Sequence, residues 1–437
     1  MVVERLTRLA ASWAVNLGHP AAVARMQPPA LAAAAAAELV TAVLNQGLQA
    51  WESGPAAIGL ERLLVRELCA LVGYPEGAGG TLTSGGSVSN LVALVLAREH
   101  AVSARTGGRP MMDGTPGRLR PLVLCGPAAH YSVRRAAGIV GFGSQAVVEV
   151  ASDSAGRIDP DALDRRLADL TDTDLPVAVV ATAGTTDLGA FDRLDALADV
   201  TRRHHVWLHV DSAYGGAALF SGRLSRLLVG ADRADSFALD FHKLGWAPAS
   251  ASAFLVRDEG HLSSLAADAA YLGTADDAAA GYTSSPPGSL QTTRRADAMK
   301  IAVVLGVLGR QGLSAFVESC HDLAVHAADR IAAQPGLELA AAPVLSTVVF
   351  RCLPTGTGGL ATDADALNAT VRRLLAERGE SLVGRTALPG EAGRPNVHLK
   401  LVLMAPTTTP AQIDAVIERV AATARAVEAM GVAPTRV

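Results

Sequence analysis

Short apolar runs recur through the middle of this chain, at 122–124, 147–150, 177–181, 206–210, 237–239 and 253–256. Helix-patterned stretches lie between several of them, as at 160–170 and 194–203. A strand that is apolar throughout must be covered on both faces, and a helix between two such strands supplies that cover while returning the chain to the same edge. The pattern predicts an α/β fold built on a mostly parallel central sheet. Half of the 437 residues are hydrophobic, enough for a sizeable core.

Either side of this region the pattern changes. Residues 1–70 read as helical, broken by Pro20, Pro28 and Pro29, with Leu60, Leu63, Leu64 and Leu68 at helical spacing. Residues 258–295 are a long polar stretch rich in Gly, Pro, Ser and Asp, of the kind that is either a lid or disordered. Helical patterns resume at 296–308 and 313–333. The last hundred residues read as a smaller α+β unit, with strands at 347–350 and 397–404 and helices at 364–378 and 413–428. The expected organisation is an N-terminal helical segment (1–70), a large domain (71–330) with a mobile loop at 273–288, and a small C-terminal domain (331–437).

Charge excludes some partners. The net charge is -4, with both signs spread along the chain, and nothing marks a nucleic-acid or anionic-membrane surface. The apolar stretch 30–44 is mostly alanine, contains Glu38 and is too short to span a bilayer. The start of the chain lacks the pattern of a signal peptide. Cys69, Cys125, Cys320 and Cys352 are scattered, with no CxxC pair, which predicts a reduced cytoplasmic protein without a cysteine metal site. His204, His205 and His209 lack the spacing and the partner carboxylate of a metal site, so no metal is expected.

The chain has three lysines, Lys243, Lys300 and Lys400, against thirty-five arginines. Arginine has replaced lysine wherever charge alone is needed. A retained lysine suits work that arginine cannot do, because a desolvated amine can lose its proton and attack a carbonyl. Lys243 closes the run Asp240-Phe241-His242-Lys243 after an apolar strand. Three other patterns have matching chemistry. Thr83-Ser84-Gly85-Gly86-Ser87-Val88-Ser89-Asn90 is a small-residue turn that opens a helix, either an anion site or a plain cap. Asp211 ends the apolar run at 206–210 and is followed by Ser212-Ala213, so it is either an N-cap or the partner of a buried cation. His130 follows the run at 122–124, where an imidazole can stack on a flat ring or serve the structure.

Together these stretches resemble the group II pyridoxal-phosphate-dependent decarboxylases. The resemblance also rests on Trp51-Glu52-Ser53-Gly54-Pro55-Ala56, on Ala129-His130-Tyr131-Ser132-Val133 and on Ser289-Leu290-Gln291-Thr292-Thr293-Arg294-Arg295, and it runs from about 19 to about 409. Within that family the runs 240–258 and 289–295 look most like bacterial L-2,4-diaminobutyrate and siderophore-pathway diamine decarboxylases. The resemblance implies an aspartate-aminotransferase-like type I fold, a homodimer with sites at the subunit interface, pyridoxal 5'-phosphate as cofactor, an L-amino acid as small-molecule substrate and α-decarboxylation as reaction. It implies that Lys243 binds the cofactor covalently, Asp211 meets the ring nitrogen, and His130 and Ala213 cover the two ring faces. Gly86 and Ser87 would hold the phosphate, helped by His242 or Asp240, and Thr186 would lie near the phenolic oxygen. Tyr282 lies in the loop where the family carries a proton-donating tyrosine, although Ser285 stands nearer the expected place. Lys400 stands where the family often has arginine. Two other outcomes stay open: oxidative conversion to an aldehyde on the same cofactor, and an inactive cofactor-binding partner subunit.

Overall fold

The computed structural model describes residues 1–266, 274–282, 288–355, 363–390 and 394–430. Among these the chain forms, in order, strands β1 (Ala22–Val23), β2 (Gly79–Thr83), β3 (Arg120–Cys125), β4 (Val147–Glu149), β5 (Asp174–Thr182), β6 (Trp207–Asp211), β7 (Ser236–Asp240), β8 (Ser252–Val256), β9 (Leu337–Leu339), β10 (Thr347–Cys352), β11 (Leu382–Pro389) and β12 (Pro395–Val402). Five α-helices precede β3: α1 (Val2–Trp13), α2 (Ala32–Leu44), α3 (Pro55–Val72), α4 (Gly86–Thr106) and the short α5 (Pro110–Asp113). The chain divides into two compact units, Ala30–Glu318 and Met1–Pro29 with Ser319–Val437.

The larger unit holds a seven-stranded sheet in the order β2-β8-β7-β6-β5-β3-β4. Every apolar run named above is one of its strands. β4, β3, β5, β6 and β7 are parallel, as the helix-separated runs require. β8 is antiparallel to both β7 and β2, so β2 points the same way as the parallel set. β6, β7 and β8 are buried along their whole length. The crossover helix Pro160–Ala168 starts where Asp159 accepts a bond from the Asp161 amide (3.0 Å) and proline occupies the first turn. α4 lies on the sheet, with Val92, Val95 and Leu96 in one core with Val123, Val180 and Phe254. Truncating Phe254, which is fully buried, to alanine would cost about 3–5 kcal/mol.

The helical run Ala298–Ala333 is interrupted at Gly309, whose φ of 58° lies in the left-handed region that favours glycine. That break is the gap expected between 308 and 313.

The second unit holds a mixed five-stranded sheet in the order β1-β11-β12-β10-β9. β1 is parallel to β11; the other pairs are antiparallel. Its core joins Phe350, Leu399 and Leu401 to Leu367 and Val371 of helix Ala364–Glu377 and Ile413 and Val420 of helix Pro410–Met430. β9 and β11 had no counterpart in the sequence reading. β11 alternates between covered and exposed positions along its second half and carries Gly384, Arg385 and Pro389, so it lacks a continuous apolar run.

Candidate active site

The parallel strands and β2 all deliver their C-terminal ends to one rim of the large sheet, where α/β folds place ligands. β2 delivers Gly85, Gly86 and Ser87; β3 leads to His130; β5 leads to Thr186; β6 ends at Asp211; β7 ends at Asp240, three residues before Lys243.

The ends of β2, β6 and β7 converge. A Cβ on Gly86 would stand 2.8 Å from the Ala213 Cβ and 3.5 Å from Asp240 Oδ2, so only glycine fits there. Val88 and Ser89 both donate their amides back to the Gly85 carbonyl (2.9 and 3.1 Å), which starts α4. The amides of Gly86 and Ser87 then belong to the first turn, where a helix has no acceptor of its own and its dipole favours an anion. Ser87 is exposed at this turn.

Lys243 places its amine 3.0 Å from Asp240 Oδ2. Asp240 is buried and also accepts from Ser252 Oγ at 2.5 Å. His242 lies 3.5 Å from the same Asp240 oxygen and donates through Nδ1 to the Ala251 carbonyl (2.9 Å). The other two lysines differ from Lys243. Lys300 is buried between Asp297 (2.9 Å) and Glu38 (3.2 Å). Lys400 is buried in β12, opposite Val349 of β10 and Gly384 of β11, in the other unit.

Asp211 is buried and accepts from the Asn90 side-chain amide (2.8 Å) and from the Ala213 backbone amide (3.2 Å). The same Asn90 nitrogen donates to Ser132 Oγ (2.9 Å), and that oxygen stands 2.8 Å from His130 Nδ1. Burial lowers the pKa of His130, with Asp211 opposing, so the ring is neutral at pH 7. Behind Asp211, His209 is fully buried and its pKa is pushed down to about 4 by burial, again with Asp211 opposing.

Thr186 is exposed in the turn after β5, which Gly184 and Thr185 close by donating to the Ala190 carbonyl (2.9 and 3.0 Å). Tyr282 is half-exposed and its ring centroid lies 4.6 Å from that of Trp51. Of the loop expected at 273–288, residue 273 and residues 283–287, including Ser285, lie outside the described residues.

Gly86, Ala213, Asp211, His130, Asp240, His242 and Lys243 thus form one connected cluster at one rim. Asn90, Ser132 and Ser252 belong to it and were not expected. Asn90 ends the polar start of α4, just before the apolar stretch 91–97, and that place alone does not separate it from a helix-capping residue. This donor set fits pyridoxal phosphate: an amine for the aldehyde, a buried carboxylate for the ring nitrogen, an imidazole, and a glycine turn at a helix start for the phosphate.

A family profile described as "Pyridoxal-dependent decarboxylase conserved domain" matches residues 7–353. The L-2,4-diaminobutyrate decarboxylase of Rhizobium meliloti (strain 1021) is 38% identical over 427 residues, 98% of this chain and 82% of that one. That of Acinetobacter baumannii is 33% identical over 98% of this chain and 84% of its own. A similar solved structure is the glutamate decarboxylase domain of diaminobutyrate-pyruvate transaminase and L-2,4-diaminobutyrate decarboxylase from Vibrio parahaemolyticus. It has a TM-score of 0.86 and 30% identity, and the match covers 97% of this chain and 85% of that one.

Proposed function

This chain belongs to the pyridoxal-dependent decarboxylase family, and from that membership we propose that its substrate is L-2,4-diaminobutyrate. The protein is a carboxy-lyase that uses pyridoxal phosphate to remove the α-carboxyl group of an L-amino acid and leave the amine. The substrate assignment is supported by two relatives of that name, each similar over 98% of this chain.

Bound pyridoxal phosphate supplies a carbonyl that takes up the substrate amine and a ring that accepts the electron pair left by departing carbon dioxide. The chain's own residues do the rest. Lys243 is the residue that would hold the cofactor covalently, through its side-chain amine beside Asp240. The single observation carrying this role is the ion pair of Lys243 with Asp240 at the rim that also holds Asp211 and Gly86. Asp211 keeps the ring nitrogen protonated. His130 and Ala213 would cover the ring faces. The Gly86 and Ser87 amides hold the phosphate. His242 lies beside the glycine turn, whereas the negative charge of Asp240 suits the lysine amine better than an anion. Thr186 would serve the phenolic oxygen, and Tyr282 would be the proton donor to the α-carbon.

The protein acts as a cytoplasmic homodimer. Apolar side chains exposed on α1 and α2, among them Leu6, Leu9, Trp13, Leu39 and Val43, support the dimer. The four cysteines, all buried and unpaired, support the compartment. Release of carbon dioxide from a panel of free amino acids tests the substrate. 2,4-Diaminobutyrate should give the highest kcat/KM, ahead of ornithine, lysine, glutamate and aromatic amino acids; a higher value for any of these overturns the assignment. Light scattering on the purified protein tests the dimer.

A further inference from the structure

Asn90 stands at a branch point of a chain of polar side chains that runs along β6. Trp207, His209 and Asp211 are alternate residues of β6, so they share one face of that strand. Trp207 Nε1 donates to Ser236 Oγ (2.9 Å). Ser236 Oγ stands 2.9 Å from His209 Nδ1, and His209 Nε2 stands 2.9 Å from Asn90 Oδ1. The Asn90 nitrogen serves Asp211 Oδ2 (2.8 Å) and Ser132 Oγ (2.9 Å). The last link is Ser132 Oγ to His130 Nδ1 (2.8 Å).

The indole and the carboxylate fix the direction of the links between them. An indole N–H can only donate, and a carboxylate can only accept. The Asn90 nitrogen must face Asp211, because the reverse amide orientation would set two acceptors against each other. Asn90 Oδ1 then accepts, so His209 carries its proton on Nε2. His209 Nδ1 is bare and takes the Ser236 hydroxyl proton, and the Ser236 oxygen takes the indole proton. On the other arm Ser132 accepts from Asn90, which leaves its own hydroxyl proton for His130 Nδ1. The Ser132 backbone amide also points at His130 Nδ1 (3.4 Å). A backbone amide can only donate, so a bare Nδ1 is the state that suits both the amide and the Ser132 hydroxyl.

We infer that Asn90 is the positioning residue of this site: one donor relay beginning at Trp207 holds Asp211 as a carboxylate and His130 as the tautomer with its proton on Nε2. Asn90 itself touches neither cofactor nor substrate. Its two amide hydrogens divide between the group that faces the ring nitrogen and the group that covers the ring, so the two are set together. The inference rests on the site described under Proposed function, but its first readout needs neither cofactor nor substrate.

The test is the ring nitrogen spectrum of the full chain labelled with ¹⁵N-histidine, first freed of cofactor, with His130 assigned by His130→Gln. The native protein at pH 7 should show His130 neutral and protonated on Nε2. Ser132→Ala removes one arm. It should shift His130 to a mixture of tautomers while holding pyridoxal phosphate affinity within about twofold, because Asp211 keeps its donor. Asn90→Leu removes both arms. It should mix the His130 tautomers and weaken pyridoxal phosphate binding about tenfold, the effect of one hydrogen bond to a charged group. A His130 proton on Nδ1 in the native protein overturns the relay. So does an Asn90→Leu protein that melts earlier yet keeps the native His130 spectrum, because Asn90 is then only structural. If Asn90→Leu does not fold, the native spectrum and Ser132→Ala decide. Failure of cofactor binding by the native chain would strike the site assignment and leave the tautomer result standing.

Discussion

Two buried asparagines, Asn90 on α4 and Asn368 on the helix Ala364–Glu377, solve the same problem in opposite ways. Each is shut off from water and fully bonded. Asn368 bonds only to backbone: its oxygen accepts from the Cys352 amide (2.8 Å), and its nitrogen donates to the carbonyls of Cys352 (2.9 Å) and Ala364 (2.7 Å). It ties a helix to β10. Asn90 bonds only to side chains, and each of those has a further partner or faces the rim. A buried amide that satisfies backbone is scaffold. One that satisfies titratable side chains fixes their proton positions, and it marks a place where the fold has been made to serve chemistry.

The contrast breaks if changes near Asn90 act through stability, or changes near Asn368 act through turnover. The largest effect belongs to Lys243→Arg. Arginine keeps the charge beside Asp240 but cannot bind the cofactor covalently, so decarboxylation should fall by ~10⁴-fold or more while the melting temperature stays near native. Turnover within tenfold of native would remove Lys243 from the chemistry. Asp211→Asn should follow with a loss of about 100-fold or more in kcat, since a neutral ring is a poor electron sink. Its check is kcat measured at saturating cofactor, and near-native kcat would make Asp211 scaffold as well.

Asn368→Leu should do the reverse. It strands the Cys352 amide and carbonyl and should cost about 2–4 kcal/mol in urea unfolding, with kcat per folded molecule unchanged. A lowered kcat there would blur the distinction.

The smallest effect sharpens it. The unfolded chain takes a proton on His209 near pH 6.5, whereas the folded chain holds that ring neutral until about pH 4. The stability tied to the neutral ring is therefore complete above pH 6.5 and is lost as pH falls from 6.5 towards 4. About 2 kcal/mol should be gone by pH 5. His209→Gln removes this titration, so its unfolding free energy should fall less than that of the native chain between pH 7 and 5. Burial raises the Asp192 carboxyl to about 6, which works in the opposite direction over the same range. The comparison of the two proteins therefore carries the test. Parallel curves would show that His209 does not titrate as the buried relay requires.

How far these features were legible follows from where their causes lie. Strands buried on both faces announce themselves by unbroken apolar runs, and all six runs were found. β11 did not, because a half-exposed strand with Gly384, Arg385 and Pro389 looks like a loop. Lys243 and Asp211 were legible because chemistry restricts the residue types that suit a covalent amine and a buried carboxylate. Asn90, Ser132 and Ser236 were not. The Asn90 contacts reach 42 residues to Ser132, 119 to His209 and 121 to Asp211. Which side chain meets which across those distances is decided by the packing of α4 on the sheet. His209 was weighed only as a metal ligand, although its place between Trp207 and Asp211 on one face of a buried strand was a sign of a polar path.

The position of β2 has a consequence for how the molecule is made. β2 lies at the edge of the large sheet, and its one strand neighbour is β8, with Thr83 opposite Ser252. A ribosome releases β2 long before β8 exists. The parallel strands β3 to β7 can meet as they emerge, but β2 must wait through some 170 residues of synthesis for its partner. Closing so long a loop is slow and comes late. The β2–β8 pairing therefore forms only once Lys243 is already in the chain, whereas the glycine turn can be placed earlier through α4, which packs on β3 and β5.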